Sequence, residues 1–198
     1  QQHAKTGTPA DVITRRAIRW LADHDSRRPF FVWLHYFDPH DPYAPPYSDG
    51  LPFDVASGSK WTGDVRRLGI SREQTPSSPS PRVRDPDRQR LVDLYDAEIH
   101  YLDQSLGDLI RDLESNGLYD DTLIVLTSDH AEAFGEHGFW THGHSLHQSQ
   151  IHVPLLIKLP RPHTRHEVRP DPVGLADLMT TLCGYLEFDC PSRETATN

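Results

Sequence analysis

TSDHAEAFGEHGFWTHGHSLH, residues 127–147, decides how the rest of the chain is read. It follows a short apolar run, Leu123, Ile124, Val125 and Leu126, flanked by Asp120, Asp121 and Asp129. Such a run has the length and composition of a buried strand. A strand ending in Ser128-Asp129-His130 delivers a carboxylate and an imidazole at its carboxyl end, where open α/β sheets gather ligands. Six histidines crowd between positions 130 and 152: His130, His137, His142, His144, His147 and His152. Carboxylate and neutral imidazole are common ligands of divalent metals, and imidazole is the general acid available near neutral pH. Taken alone, the stretch is either a metal- and acid-bearing strand end or a His-rich polar loop.

Two further stretches frame it. Upstream, residues 30–46 read FFVWLHYFDPHDPYAPP. The first seven are apolar on both faces, as expected of a strand inside a parallel sheet. Pro39 and Pro42 stand on either side of His40, restrict the backbone and remove amide donors. They hold one imidazole in a defined place beyond the sheet edge; for a lone histidine, an exposed turn is the plainer reading. His35 reads as a supporting or core residue, and Asp38 and Asp41 as turn or capping residues. Downstream, residues 151–160 read IHVPLLIKLP, with a third apolar strand over 153–159.

Helical spacing fills the intervals. Val12, Ile13, Ala17, Ile18, Trp20 and Leu21 predict a helix over about 9–24, with Asp11 as an N-terminal charge or cap. Leu91, Leu94, Tyr95, Ile99, Leu102, Leu106, Leu109, Ile110 and Leu113 predict a long helix over 89–115, stopped by Asn116-Gly117. Asp93, Asp96, Glu98, Asp103 and Asp108 read as its solvated face. A last helix is expected over 174–186. Residues 47–90, rich in Ser, Pro and Arg, read as a long irregular surface excursion. The alternative there is an active-site cap in which Trp61, Arg66 and Arg67 meet an aromatic or anionic substrate.

Composition narrows the class. The chain has 198 residues, a net charge of −9 and 36% hydrophobic residues, and its mean hydropathy is −0.62. That length supports one domain with a sizeable core. The acidic balance argues against nucleic acid as a partner. No apolar run reaches transmembrane length, and the polar opening QQHAKTGTPADV does not resemble a signal peptide. Cys183 and Cys190 form neither a CxxC pair nor a disulfide framework, so they do not indicate a compartment.

The order strand–PHDPY, long helix, strand–SDH, GEHG, then HVPLLI resembles the sulfatase family of the alkaline phosphatase superfamily over roughly residues 10–188. The resemblance implies an α/β, alkaline phosphatase-like fold with a mainly parallel sheet sandwiched by helices, here a partial domain spanning 1–198. Its sheet is expected to hold residues 30–34, 123–127 and 153–157. The resemblance makes His40 the histidine that contacts the substrate ester and protonates the leaving group. It makes Asp129 and His130 two ligands of a divalent metal, usually calcium, with manganese or zinc also suited to an imidazole ligand. Many members carry a lysine after GEHG that contacts the transferred group; this chain has His142 there, a cation whose charge depends on pH. His137 is expected to hold the loop, and His144 and His147 to be supporting or surface residues. The final helix resembles the family's DLxPT helix, with Thr180 where proline is usual.

The family nucleophile lies in a C/S-x-P-S-R motif upstream of the PHxP strand. Cys190-Pro191-Ser192-Arg193 lacks the residue between Cys and Pro and lies at the wrong end, so it is a coincidence. The resemblance therefore predicts a fragment of a sulfuric ester hydrolase, with the nucleophile elsewhere, the isolated chain inactive and an anionic sulfate ester as the substrate of the parent. The alternatives are a phosphonate or phosphodiester hydrolase of the same superfamily and a non-catalytic module that binds a metal or anion.

Overall fold

The computed structural model describes residues 7–25, 27–47, 63–70, 74–75, 82–163 and 166–190. It comprises two compact units, residues 1–161 and 162–198. Much of the 47–90 excursion, Trp61 included, lies outside the described residues.

Helix α1, Ala10–Asp23, buries Ala10, Thr14, Ala17 and Leu21. Their spacing of four, three and four makes one narrow stripe of mostly small side chains, which lets the helix approach its neighbour closely. That neighbour is α2, Asp85–Ser115, which starts several residues earlier than its apolar periodicity predicts, with a proline in its first turn. Thr14 Oγ1 bonds the Ser105 carbonyl at 3.2 Å and meets the Tyr36 hydroxyl at 2.8 Å, while Asp11 bonds Tyr101. Asp11 sits in the first turn, and the N-cap position is Pro9, with no side-chain cap. The amide of Ala10 instead donates to Asp38, distant in sequence, at 2.9 Å.

The stop at Asn116-Gly117 is a paired C-terminal motif. Gly117 takes φ +70°, its amide reaches the Glu114 carbonyl, and the Leu118 amide reaches the Leu113 carbonyl at 2.8 Å. A short connection then leads into β1, Ile124–Thr127. The chain continues through β2, Ala133–Phe134, β3, Trp140–Thr141, and α3, Gln148–Ile151, to β4, Leu155–Lys158. Lys158 Nζ ties the end of β4 to this connection through the carbonyls of Tyr119, Asp120 and Thr122.

The sheet differs from the expected parallel one at the level of strands. Strand β1 pairs with β4 antiparallel, Val125 facing Ile157 and Leu126 facing Leu156, and β2 pairs with β3 antiparallel. Between them the chain forms the β2–β3 hairpin and the single-turn α3, with no long helix packed across the sheet as a parallel crossover usually has. Residues 30–36 form no ladder among the described residues, and Phe31 and Trp33 stand exposed. Apolarity on both faces marks a segment suited to a place between strands, and among the described residues no strand pairs with it; its contacts are with α1, through Phe30 on Trp20 and Tyr36 on Thr14.

The core cluster contains Tyr43, Val65, Ile70, Leu91, Leu94 and Trp140, with Leu68, Val83, Tyr95 and Phe134 packed against it. It joins the N-terminal third of α2 to the segment after His40 and to the β2–β3 hairpin, so the elements that carry the candidate site share one core cluster. Asp87, Asp93 and Glu98 of α2 are buried, which corrects the expectation of a solvated acidic face for Asp93 and Glu98.

In residues 162–198, a short turn of 3-10 helix, Leu175–Asp177, runs into α4, Leu178–Tyr185. Cys183 and Cys190 form a disulfide with their Cα atoms 5.5 Å apart, a pairing their spacing had not signalled. Cys190 is therefore committed to Cys183, in keeping with the rejection of 190–193 as a nucleophile motif.

Candidate active site

The backbone around His40 is built to hold it. The Asp38-Pro39 and Asp41-Pro42 bonds are both cis. Glu98, fully buried on α2, reaches across with both carboxylate oxygens: one accepts from the His40 amide at 3.0 Å, the other from the Ala44 amide at 2.7 Å. Asp41 accepts from the Val65 amide at 3.1 Å. Burial pushes the Asp41 carboxyl up, with Asp64 and Glu132 adding to the shift and the Val65 amide opposing it. The His40 ring lies against Phe37, centroids 4.4 Å apart, and its Nδ1 faces the Asp41 carbonyl at 2.7 Å. A carbonyl only accepts, so Nδ1 carries the hydrogen of this contact and Nε2 is the nitrogen left for another partner.

The β1 end supplies the second part. The Asp129 carboxylate accepts from the His130 amide, and its Oδ1 stands 3.8 Å from His130 Nε2. His130 Nδ1 lies 3.0 Å from the Ala131 carbonyl, so donation there leaves the lone pair on Nε2, the arrangement of a metal-ligating histidine. The separation of Oδ1 and Nε2 is one that two donors to a single divalent ion can have. Among the described residues no group of three or more His, Cys, Asp or Glu is arranged to hold a metal ion. Asp129 and His130 are two donors of the types that divalent ions take, fewer than a ligand set of their own.

The third part follows the GEHG turn. Gly135 takes φ +105°, and a Cβ there would stand 3.0 Å from the Trp140 ring, so both conformation and packing call for glycine. Trp140 is held by Gln74, which accepts from its amide at 2.8 Å and donates to its carbonyl at 2.9 Å. Thr141 then adopts φ +62°, and His142 follows. Its ring stacks on His130 with centroids 3.8 Å apart and lies 5.6 Å from His40. His40, His130 and His142 therefore form one cluster, with Asp129 at its exposed edge.

Glu132 was not singled out from sequence. Its side chain is 5% exposed, its Oε1 lies 3.1 Å from His142 Nδ1, and its Oε2 accepts from the Tyr43 hydroxyl at 2.8 Å. The hydrogen bond to Glu132 raises the His142 pKa against the opposing effect of burial. Burial and Glu132 together push the Tyr43 hydroxyl well up, and Tyr95 is pushed up to about 12, chiefly by burial. A carboxylate two residues after His130, inside a His-rich stretch, was the available signal. Glu98 had been visible only as part of a helical pattern without assigned chemistry.

The remaining histidines stand apart in role. His137 and His147 stack on each other at 3.9 Å, and His144 meets Thr141 Oγ1 at 3.3 Å. Burial, and then the nearby His142, lower the His144 pKa.

The family model Sulfatase matches residues 2–188. Human iduronate 2-sulfatase is 31% identical over 194 residues, covering 80% of this chain and 34% of its own length. The choline-sulfatase of Rhizobium meliloti is 31% identical over 156 residues, covering 70% of this chain and 28% of its own length. The chain thus spans about a third of the length of these curated relatives. The crystal structure of YidJ from Bacteroides fragilis superposes with a TM-score of 0.70 at 22% identity, over 96% of this chain and 40% of that one. That likeness carries the alkaline phosphatase-like α/β fold, seen here as part of a domain.

Proposed function

The chain belongs to the sulfatase family of the alkaline phosphatase superfamily, and from that premise we propose that the whole protein hydrolyses a sulfate monoester, with these residues supplying the leaving-group side of its active site. The observation that carries the reading is the cluster of His40, His130 and His142 on a common core.

His40 donates from Nε2 to the ester oxygen as the S–O bond breaks. The electron pair of that bond stays on the leaving oxygen, which departs as an alcohol once it takes the proton. The Asp41 carbonyl on Nδ1 holds the ring in place for this transfer. The sulfuryl group passes to a nucleophile that lies outside the residues assigned here, and water finally releases it as sulfate. His142 stands where a cation meets the non-bridging oxygens of the transferred group. Sulfatases generally use a divalent metal, and Asp129 and His130 are its proposed ligands in this chain, with calcium the proposed ion and manganese or zinc compatible with the imidazole. When bound, such an ion offsets the negative charge of the sulfate group.

The names of both curated relatives specify esters of alcohols, iduronate and choline. By analogy we assign this protein an alkyl sulfate, whose poor leaving group gives an acid such as His40 most to do. The test is turnover by the whole protein of an alkyl sulfate against a matched phosphonate monoester. A higher kcat/KM for the sulfate is expected. Preference for the phosphonate would move the protein to the phosphonate-hydrolase branch, and turnover of neither would favour a binding module.

A further inference from the structure

We propose that Glu132 is the positioning residue of this site, holding the His142 imidazole by Nδ1 so that Nε2 is presented to the sulfate group of the substrate. The proposal rests on the sulfate-ester reading above and adds a residue to it.

The backbone brings the two side chains together. Ala133 pairs with Thr141 across the β2–β3 ladder, so Glu132, just before one, and His142, just after the other, extend the same antiparallel register. The Glu132 carboxylate is then held from its far side. Its Oε2 accepts from Tyr43, a side chain 1% exposed whose ring packs edge-on against Tyr95 at 5.6 Å and beside Phe134 at 6.0 Å. Tyr43 is part of the core and cannot swing away without unpacking it. Anchored there, Glu132 has its other oxygen 3.1 Å from His142 Nδ1.

The chemistry of the two groups sets the direction. Oε2 takes the Tyr43 hydroxyl hydrogen, and Oε1, the other carboxylate oxygen, is the acceptor for Nδ1, which carries the hydrogen of that contact. Nε2 makes no hydrogen bond among the described residues, and the ring it belongs to faces His130 and His40. A lysine in this place would need little orientation, because its three N–H donors are equivalent on a flexible stem. An imidazole has two inequivalent nitrogens on a rigid ring, and one flip would turn the wrong one to the substrate. A buried acceptor locked to a core tyrosine removes that freedom.

The experiment uses the whole protein with an alkyl sulfate and the variants Glu132→Ala, Glu132→Gln, His142→Ala and the Glu132→Ala/His142→Ala double. Glu132→Ala should lower kcat/KM roughly tenfold or more. Glu132→Gln, whose amide oxygen still accepts from Nδ1–H and whose amine can donate to Tyr43, should keep most of it. In the His142→Ala background, Glu132→Ala should cost nothing further, because its effect runs through the missing ring. Tyr43→Phe keeps the core ring and removes only the anchoring hydroxyl. It should lower kcat/KM only while His142 is present, and it serves in place of the alanine variant should that one fail to fold. Side-chain nitrogen NMR of His142 should show hydrogen on Nδ1 in the wild type and loss of that preference in Glu132→Ala. Equal losses with and without His142, or an unchanged imidazole spectrum in Glu132→Ala, would overturn the assignment. Absence of sulfate-ester turnover in the wild type would refute the sulfate-ester reading instead, and the imidazole spectrum would still decide for or against Glu132.

Discussion

Glu98 shows how much of the site depends on one buried carboxylate. It satisfies the amides of His40 and Ala44 from a neighbouring helix, bracketing the loop that carries the acid. Glu98→Ala should therefore cost about 3 kcal/mol of unfolding free energy, since removing this acceptor strands two backbone donors. Glu98→Gln should recover part of it; denaturant unfolding of the two variants checks the order. Asp41 behaves in the opposite sense. Its folded pKa is raised above the ordinary 3.8, chiefly by burial, so the unfolded chain ionises first as pH rises. Between those two pKa values the folded state binds more protons, and stability falls with rising pH. Asp41→Asn keeps an oxygen for the Val65 amide but cannot ionise. Its melting temperature relative to wild type should thus be higher at neutral pH than below pH 3.8. A difference that stays constant across that window would show that Asp41 ionises as freely in the fold as out of it.

Among the elements, α2 and its stop carry the site's support. Gly117 has φ +70°, and a Cβ there would meet nothing within 4 Å, so a substitution would be penalised by conformation alone. Gly117→Ala should cost about 1–2 kcal/mol, measured by thermal unfolding. Leu91, fully buried in the cluster beneath the site, should cost about 2–5 kcal/mol as Leu91→Ala. The α2 periodicity, the Asn116-Gly117 stop and the Asp129-His130 strand end were legible because each is a local pattern. The buried acids of α2 were not, because helical spacing says which residues share a face and not whether a loop's amides wait across from it. Glu98 looked like any surface glutamate until the His40 loop stood opposite. The antiparallel pairing of β1 with β4 was hidden for a similar reason: an apolar run marks a strand but not the direction of its partner. Glu132 is the subtlest case. Its role depends on a two-residue ladder that brings Thr141 beside Ala133, and nothing in the spacing of 132 and 142 encodes that.

At the scale of the whole molecule, the proposed chemistry divides between these residues and the rest of the protein. The chain covers about a third of its curated relatives, and the roles proposed for it are those of an acid, a cation and two metal donors, with no nucleophile assigned among them. Among the described residues no helix is long and apolar enough to cross a membrane. The role proposed for His40 is to protonate the leaving oxygen of a sulfate ester. An acid matters most when the leaving group is poor, so its loss should depend on the ester. The most direct measurement is kcat/KM of the whole protein and of His40→Ala on an alkyl sulfate and on a nitrophenyl sulfate, whose leaving group departs without a proton. A loss of about a hundredfold or more on the alkyl ester, with a much smaller one on the nitrophenyl ester, is predicted. Equal losses on both would contradict the account.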